Sequence, residues 1–206
     1  MEEQKNFMIK VTSTTTNDDL LTVEAYLQYI GNDKKLKDKL NSIKKDLAYV
    51  NMYFHTKKRE YSATGMFKEP INTSYNGFLY ELYNYASKHK LYKKFPLLNK
   101  IKGISYVLMI CCICEALKLN FISPTDYIVL EASGEIPGKN MYGLVNYYES
   151  IGFSPVSPDF LDEQVKRYVP MRAKVEKIIS MCNLENVSPE MLNLLPVRMC
   201  KGMCGL

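Results

Sequence analysis

Lys100, Gly103 and Ser105 stand in the short stretch "KIKGIS", which opens directly onto the apolar run "YVLMICCICEAL". These residue types at this spacing suit an anion. If a helix starts near Gly103, its first amides lack intrahelical acceptors and its macrodipole adds partial positive charge. Lys100 and Lys102 would supplement that charge, and Ile101 and Ile104 would contribute backbone amides. A glycine at position 103 lets the backbone approach a phosphate closely. A blander role fits the same residues, a tightly packed helix start that binds nothing, and both readings stay open at this point.

The other chemistry-bearing residue types point less clearly. Cys111, Cys112 and Cys114 crowd one apolar segment, where neighbours on a helix do not meet disulfide geometry, so they read as small buried hydrophobes. Cys200 and Cys204 lie in the terminal "CKGMCGL", and His55 and His89 are distant from them, which leaves too few ligands for a zinc site. No metal is expected.

The elements that must position these groups read as a mixture of helices and strands. "NFMIKVTST" is a strand candidate, and "TTTNDDLLTVEAYLQYI" begins with cap-type residues and is expected to become helical. "KKLKDKLNSIKKDL" reads as a second, amphipathic helix. "AYVNMYFHT" and "REYSATGMFK" alternate as two antiparallel strands, and "NGFLYELYNYA" leans towards a strand. A helix from about Gly103 to Leu119 follows, then a strand from Tyr127 to Ala132, a loop "GEIPGKN" and a helix "MYGLVNYYESI" stopped by Gly152. "VKRYVPMRAKV" reads as a late strand interrupted at Pro170, and "AKVEKIISMC" turns helical. One domain over residues 1–182 and a C-terminal tail over 183–206 are expected, because no repeat or low-complexity linker divides the chain.

Composition bounds the class. The chain has 206 residues, 47% of them hydrophobic and 24% charged, which is enough apolar material for a sizeable core. The N-terminal "MEEQKNFMIK" lacks the character of a secretory signal, and no apolar run approaches a bilayer span, so a soluble cytoplasmic protein with no membrane partner is expected. Charge is uneven: residues 1–103 hold 18 Lys/Arg against 11 Asp/Glu, and residues 104–206 hold 9 against 11. The basic half could attract nucleic acid, but acidic residues interleave and no nucleic-acid motif accompanies it, so solvated faces are the preferred reading.

Read in order, a basic Gly loop, a buried helix, a strand, a loop, a short helix ending in Tyr-x-x-x-Gly-Phe and a late strand resemble the GNAT superfamily of acetyl-CoA-dependent N-acyltransferases. That family's loop is written Gln/Arg-x-x-Gly-x-Gly/Ala, and Lys100, Gly103 and Ser105 take its places. Its later signature resembles "LVNYYESIGF", with Tyr148, Glu149, Gly152 and Phe153 matching. The similarity runs from about Gly77 to Val175. It implies an α/β fold with a mixed, mostly antiparallel central sheet flanked by helices.

The resemblance also implies an activity, transfer of an acetyl group from acetyl-CoA to a primary amine. Lys100 to Ser105 would cradle the pyrophosphate of coenzyme A. Tyr148 would be the acid that protonates the departing thiolate, a role open to a phenol that keeps its proton at neutral pH. The family's Asn falls on Met141, and Asn140, one place earlier, is the candidate to hold the cofactor arm. The base that deprotonates the amine would be Glu81, with Glu131 and His89 as rivals, while a solvated surface carboxylate is the preferred reading of Glu81 taken by itself. The acceptor, a small molecule, peptide or protein, is not specified, and a homodimer is compatible with such a fold. The alternative is a GNAT-like protein with weakened catalysis, acting through coenzyme A or a protein partner.

Overall fold

A computed structural model describes residues 6–17, 20–43, 48–55, 71–74, 104–133, 141–156 and 168–181. Within these, seven strands form one sheet: β1 (Phe7–Asn17), β2 (Leu20–Tyr29), β3 (Ala48–His55), β4 (Ile71–Ser74), β5 (Tyr127–Ser133), β6 (Ser154–Pro155) and β7 (Tyr168–Lys174). Their order is β1-β2-β3-β4-β5-β7-β6. Only β4 and β5 run parallel; the other neighbours are antiparallel. The helices are α1 (Lys34–Ile43), α2 (Ile104–Lys118), α3 (Met141–Ser150) and α4 (Val175–Ser180). The expected mixed, mostly antiparallel sheet with helices is therefore observed.

The segment expected to become helical after Thr14 is instead extended: β1 runs on to Asn17 and β2 spans Leu20–Tyr29. The cap-type residues "TTTNDD" belong to the end of β1 and the hairpin connection, and the burial that follows has period two. Leu21, Val23, Ala25 and Leu27 are buried, while Thr22, Glu24, Tyr26 and Gln28 are only half-buried. A helix would have scattered those four apolar side chains around its surface, whereas a strand sets them in one row. Across the sheet their partners Phe54, Met52 and Val50 are buried on the same face.

A second correction concerns Pro170, which lies inside a continuous β7 and does not interrupt it. Its carbonyl accepts the Val156 N–H at 3.0 Å, so the Pro170 nitrogen also faces β6 and takes no donor from the ladder with β5. A ring nitrogen is tolerated where the neighbouring strand has only two residues.

Helix α1 starts where Asp33 accepts the Leu36 N–H through Oδ1 at 3.0 Å, an N-cap three residues ahead. It buries Leu36 and Leu40 and leaves Lys34, Lys35 and Lys37 in water. Helix α2 is different: Ile104, Ala116 and every residue from Tyr106 to Cys114 are buried, so it is apolar on all sides and enclosed. It packs on β2 and β3, where the Cys112 thiol sits 3.7 Å from the Val23 carbonyl and 3.8 Å from that of Val50. Cys111, Cys112 and Cys114 are buried thiols outside any disulfide, as expected.

Both α2 and α3 end in the same way. Beyond α2, Asn120 takes φ 57°, and the Phe121 and Asn120 amides return to the Ala116 and Leu117 carbonyls. Beyond α3, Gly152 takes φ 102°, and the Phe153 and Gly152 amides return to Tyr148 and Glu149. This is the Schellman pattern, which uses Gly or Asn because only they enter the left-handed region cheaply. No described helix is long and apolar enough to cross a membrane.

Candidate functional site

The residues singled out in the sequence fall on two element ends. The first is the start of α2. Ile104 is its first residue and is buried, Ser105 follows in the helix, and the first turn carries no acidic residue. The first amides of α2 lack intrahelical acceptors, and the helix's own first turn supplies no carboxylate to them. Lys100, Ile101, Lys102 and Gly103 lie outside the described residues, as does the side chain of Ser105.

The second is the end of α3. Tyr148 is 5% exposed, and its ring packs edge-on against Phe153, with centroids 5.9 Å apart and planes at 67°. Tyr147 meets it from the other side at 5.3 Å and 62°. Three parts of the Tyr-x-x-x-Gly-Phe signature therefore close on one another. The Phe153 N–H donates to the Tyr148 carbonyl at 3.0 Å, Gly152 supplies the positive φ that permits this, and the two rings stack over the turn. Burial raises the Tyr147 phenol to about 12, with the charge of a Tyr148 phenolate adding to the shift. Because Tyr147 is 38% exposed, water screens part of that effect, but the direction keeps this phenol protonated throughout the neutral range.

Helix α4 brings these two ends together. The Tyr106 hydroxyl, in the first turn of α2, donates to the Ile178 carbonyl at 2.8 Å. Gly152 packs on the same stretch: a β-carbon there would lie 3.4 Å from the Lys177 carbonyl and 3.5 Å from the Ile178 nitrogen. The Tyr106 side chain and the Gly152 turn, some forty residues apart in the chain, thus meet neighbouring backbone groups of α4.

The remaining sequence candidates fall wholly or in part outside the described residues. Glu81, His89 and Asn140 lie outside the described residues, as do Cys200 and Cys204 of the tail over 183–206. Glu131 is paired with Pro170 through its backbone in β5, and its side chain is outside the described set, as is that of His55. Among the described residues no cluster of His, Cys, Asp or Glu could hold a metal ion.

One polar group went unnoticed in the sequence because its segment was read as helix. Glu24 is half-buried on the sheet face opposite Leu21 and Val23, directly across from Asn51. The Asn51 amide donates to the Tyr53 hydroxyl at 2.9 Å, and its Oδ1 is buried with no hydrogen-bond partner among the described residues. Two acceptors side by side suit a cationic donor. They stand on β2 and β3, whereas α3 packs on β5, β6 and β7. The alternation in "LLTVEAYLQY" was the signal that would have placed Glu24 on that face.

Comparison of the chain with family models, with curated proteins and with solved structures gives no match.

Proposed function

We propose that the protein is a divergent GNAT-like N-acetyltransferase that moves an acetyl group from acetyl-CoA to a primary amine. The observation that carries this reading is the convergence on α4. Tyr106 in the first turn of α2 reaches the Ile178 carbonyl through its hydroxyl, and Gly152, in the turn that follows Tyr148, packs beside Lys177 and Ile178. A phosphate cradle and a thiolate acid must lie within the reach of one extended cofactor, and this arrangement supports that requirement. The mixed sheet and a first turn of α2 without acidic residues support it further.

On this reading the α2 amides, with Lys100, Lys102 and Gly103, would hold the pyrophosphate, and Asn140 would steady the arm. Coenzyme A supplies the activated acyl group and its leaving thiolate. Tyr148, buried at the end of α3, would be the residue that gives a proton to the leaving sulfur. The base that frees the amine remains Glu81, Glu131 or His89. The chemistry is general acid–base catalysis around an amine attack.

Acetyl-CoA at millimolar concentration should raise the melting temperature of the wild-type chain by mass action. Tyr148→Phe should keep that shift and lose roughly ten- to a thousand-fold in turnover, the usual span for a single proton-transfer group. Absence of any shift in the wild type counts against the cofactor. Unchanged turnover in the variant removes Tyr148 from the acid role.

The burial of Tyr148 favours one further reading, a GNAT-like protein that binds coenzyme A or a protein partner without turnover. A cofactor-dependent melting shift with no acetyl transfer across a panel of amines would select it.

A further inference from the structure

Strand β1 forms one edge of the described sheet and is its longest strand, eleven residues. An edge strand presents a row of unpaired N–H and C=O groups, and proteins usually guard it with charge, proline, bulges or brevity. Here the guards are few. Lys10 is the strand's one charged residue, it has no proline, and its irregularity comes only at the end, between Thr15 and Asn17. Ser13 to Thr16 are exposed one after another, so both faces of the strand are open to water there.

The opposite edge of the sheet is built in the contrary manner. β6 has two residues, and one of them is Pro155. It offers too short a ladder to receive another strand. A sheet with one long open edge and one blunt edge can pair only open edge to open edge, which closes after two copies and cannot propagate.

We infer that β1 is the interface of a homodimer, pairing antiparallel with β1 of a second copy about a two-fold axis. The side chains are self-complementary in that arrangement. With the axis at Thr12, Lys10 of each copy faces Thr14 of the other, so no like charges oppose each other. Apolar surface contributes as well. Met8 and Ile30 are 40% and 43% exposed, and the register, Met8 opposite Gln28, makes them diagonal neighbours on one face. Two-fold pairing lays this apolar pair beside the threonine end of the other β1. A ladder of this length buries less than the ~1,600 Å² of a standard interface, so the dimer should dissociate on dilution. The inference is independent of any acetyltransferase activity.

Sedimentation velocity of the full chain from about 1 to about 100 µM should show a monomer–dimer equilibrium, because oligomer population depends on protomer concentration. Thr14→Lys, at an exposed site, sets a second cation opposite Lys10 twice per dimer and should shift dissociation at least about tenfold towards monomer. Adding Lys10→Glu to that variant should restore the dimer by opposing unlike charges. Ser13→Pro should give a monomer with an unchanged circular dichroism spectrum, because the Asn6 carbonyl faces Ile30 of the neighbouring chain segment and strand alternation then turns the Ser13 N–H outward, away from β2. A wild type that stays monomeric overturns the inference. So does a dimer indifferent to Thr14→Lys and Ser13→Pro, a variant not rescued by Lys10→Glu, or open assemblies larger than two.

Discussion

Gly152 is the residue whose identity is most narrowly required. Its φ of 102° closes the α3 cap, and the space around it is ordinary, with the nearest atoms 3.4 Å from a β-carbon position. The cost of a side chain is therefore backbone strain and not collision. Gly152→Ala should destabilise the fold by about 1 kcal/mol. A melting curve should register this as a fall of about 2–4 °C for a chain of this size. Tyr147 makes a second prediction. Its folded pKa, raised to about 12, exceeds the ordinary phenol value near 10, so the unfolded chain releases this proton first as pH rises. The associated stability is whole below pH 10 and is lost between there and about pH 12. The alkaline decline in melting temperature should be shallower in Tyr147→Phe than in wild type; parallel declines would show that solvent screening cancels the effect.

At the scale of elements, α2 is the piece that everything else covers. Its cysteines lie inside: burial pushes the Cys112 thiol well above its usual value, and the sulfur faces the β2 and β3 carbonyls. A thiol that is both protonated and enclosed is a poor nucleophile. Brief alkylation of the native chain, read site by site by mass spectrometry, should leave Cys111, Cys112 and Cys114 unmodified, and all three should label in denaturant. Rapid native labelling of Cys112 would mean that α2 opens locally. The elements also show where sequence reading works. α2, β5, α3 and the Gly152 stop were legible because their apolar lengths and cap residues agree with one another. β2 was not, because "TTTNDD" resembles a helix start, and only its pairing with β1 and β3 makes the period-two row decisive. Pro170 was misread for a related reason: whether a strand tolerates proline depends on which neighbour its nitrogen faces.

For the molecule as a whole, one buried cluster reaches from Phe7 in β1 to Ile178 in α4 and includes residues of all four described helices. Such a continuous core couples the sheet to every helix. Thermal unfolding should therefore be a single transition, with calorimetric and van 't Hoff enthalpies in agreement. Two separated transitions would instead divide the chain into independent units.

Local residue properties alone determined much of this protein. The apolar run of α2, the capping glycine at 152, the alternation of β3 and β5 and the basic entrance around Gly103 each follow from side-chain size, charge and backbone freedom over a few residues. The tertiary structure decided what no local pattern contains. It turned Leu20–Tyr29 into a strand, set Glu24 beside Asn51, and enclosed Tyr148 against Phe153. It also brought the Tyr106 hydroxyl of α2 and the Gly152 turn to neighbouring backbone groups of α4. These outcomes depend on which distant segment lies alongside, because burial and hydrogen-bond pairing are properties of the packed chain and not of the residue.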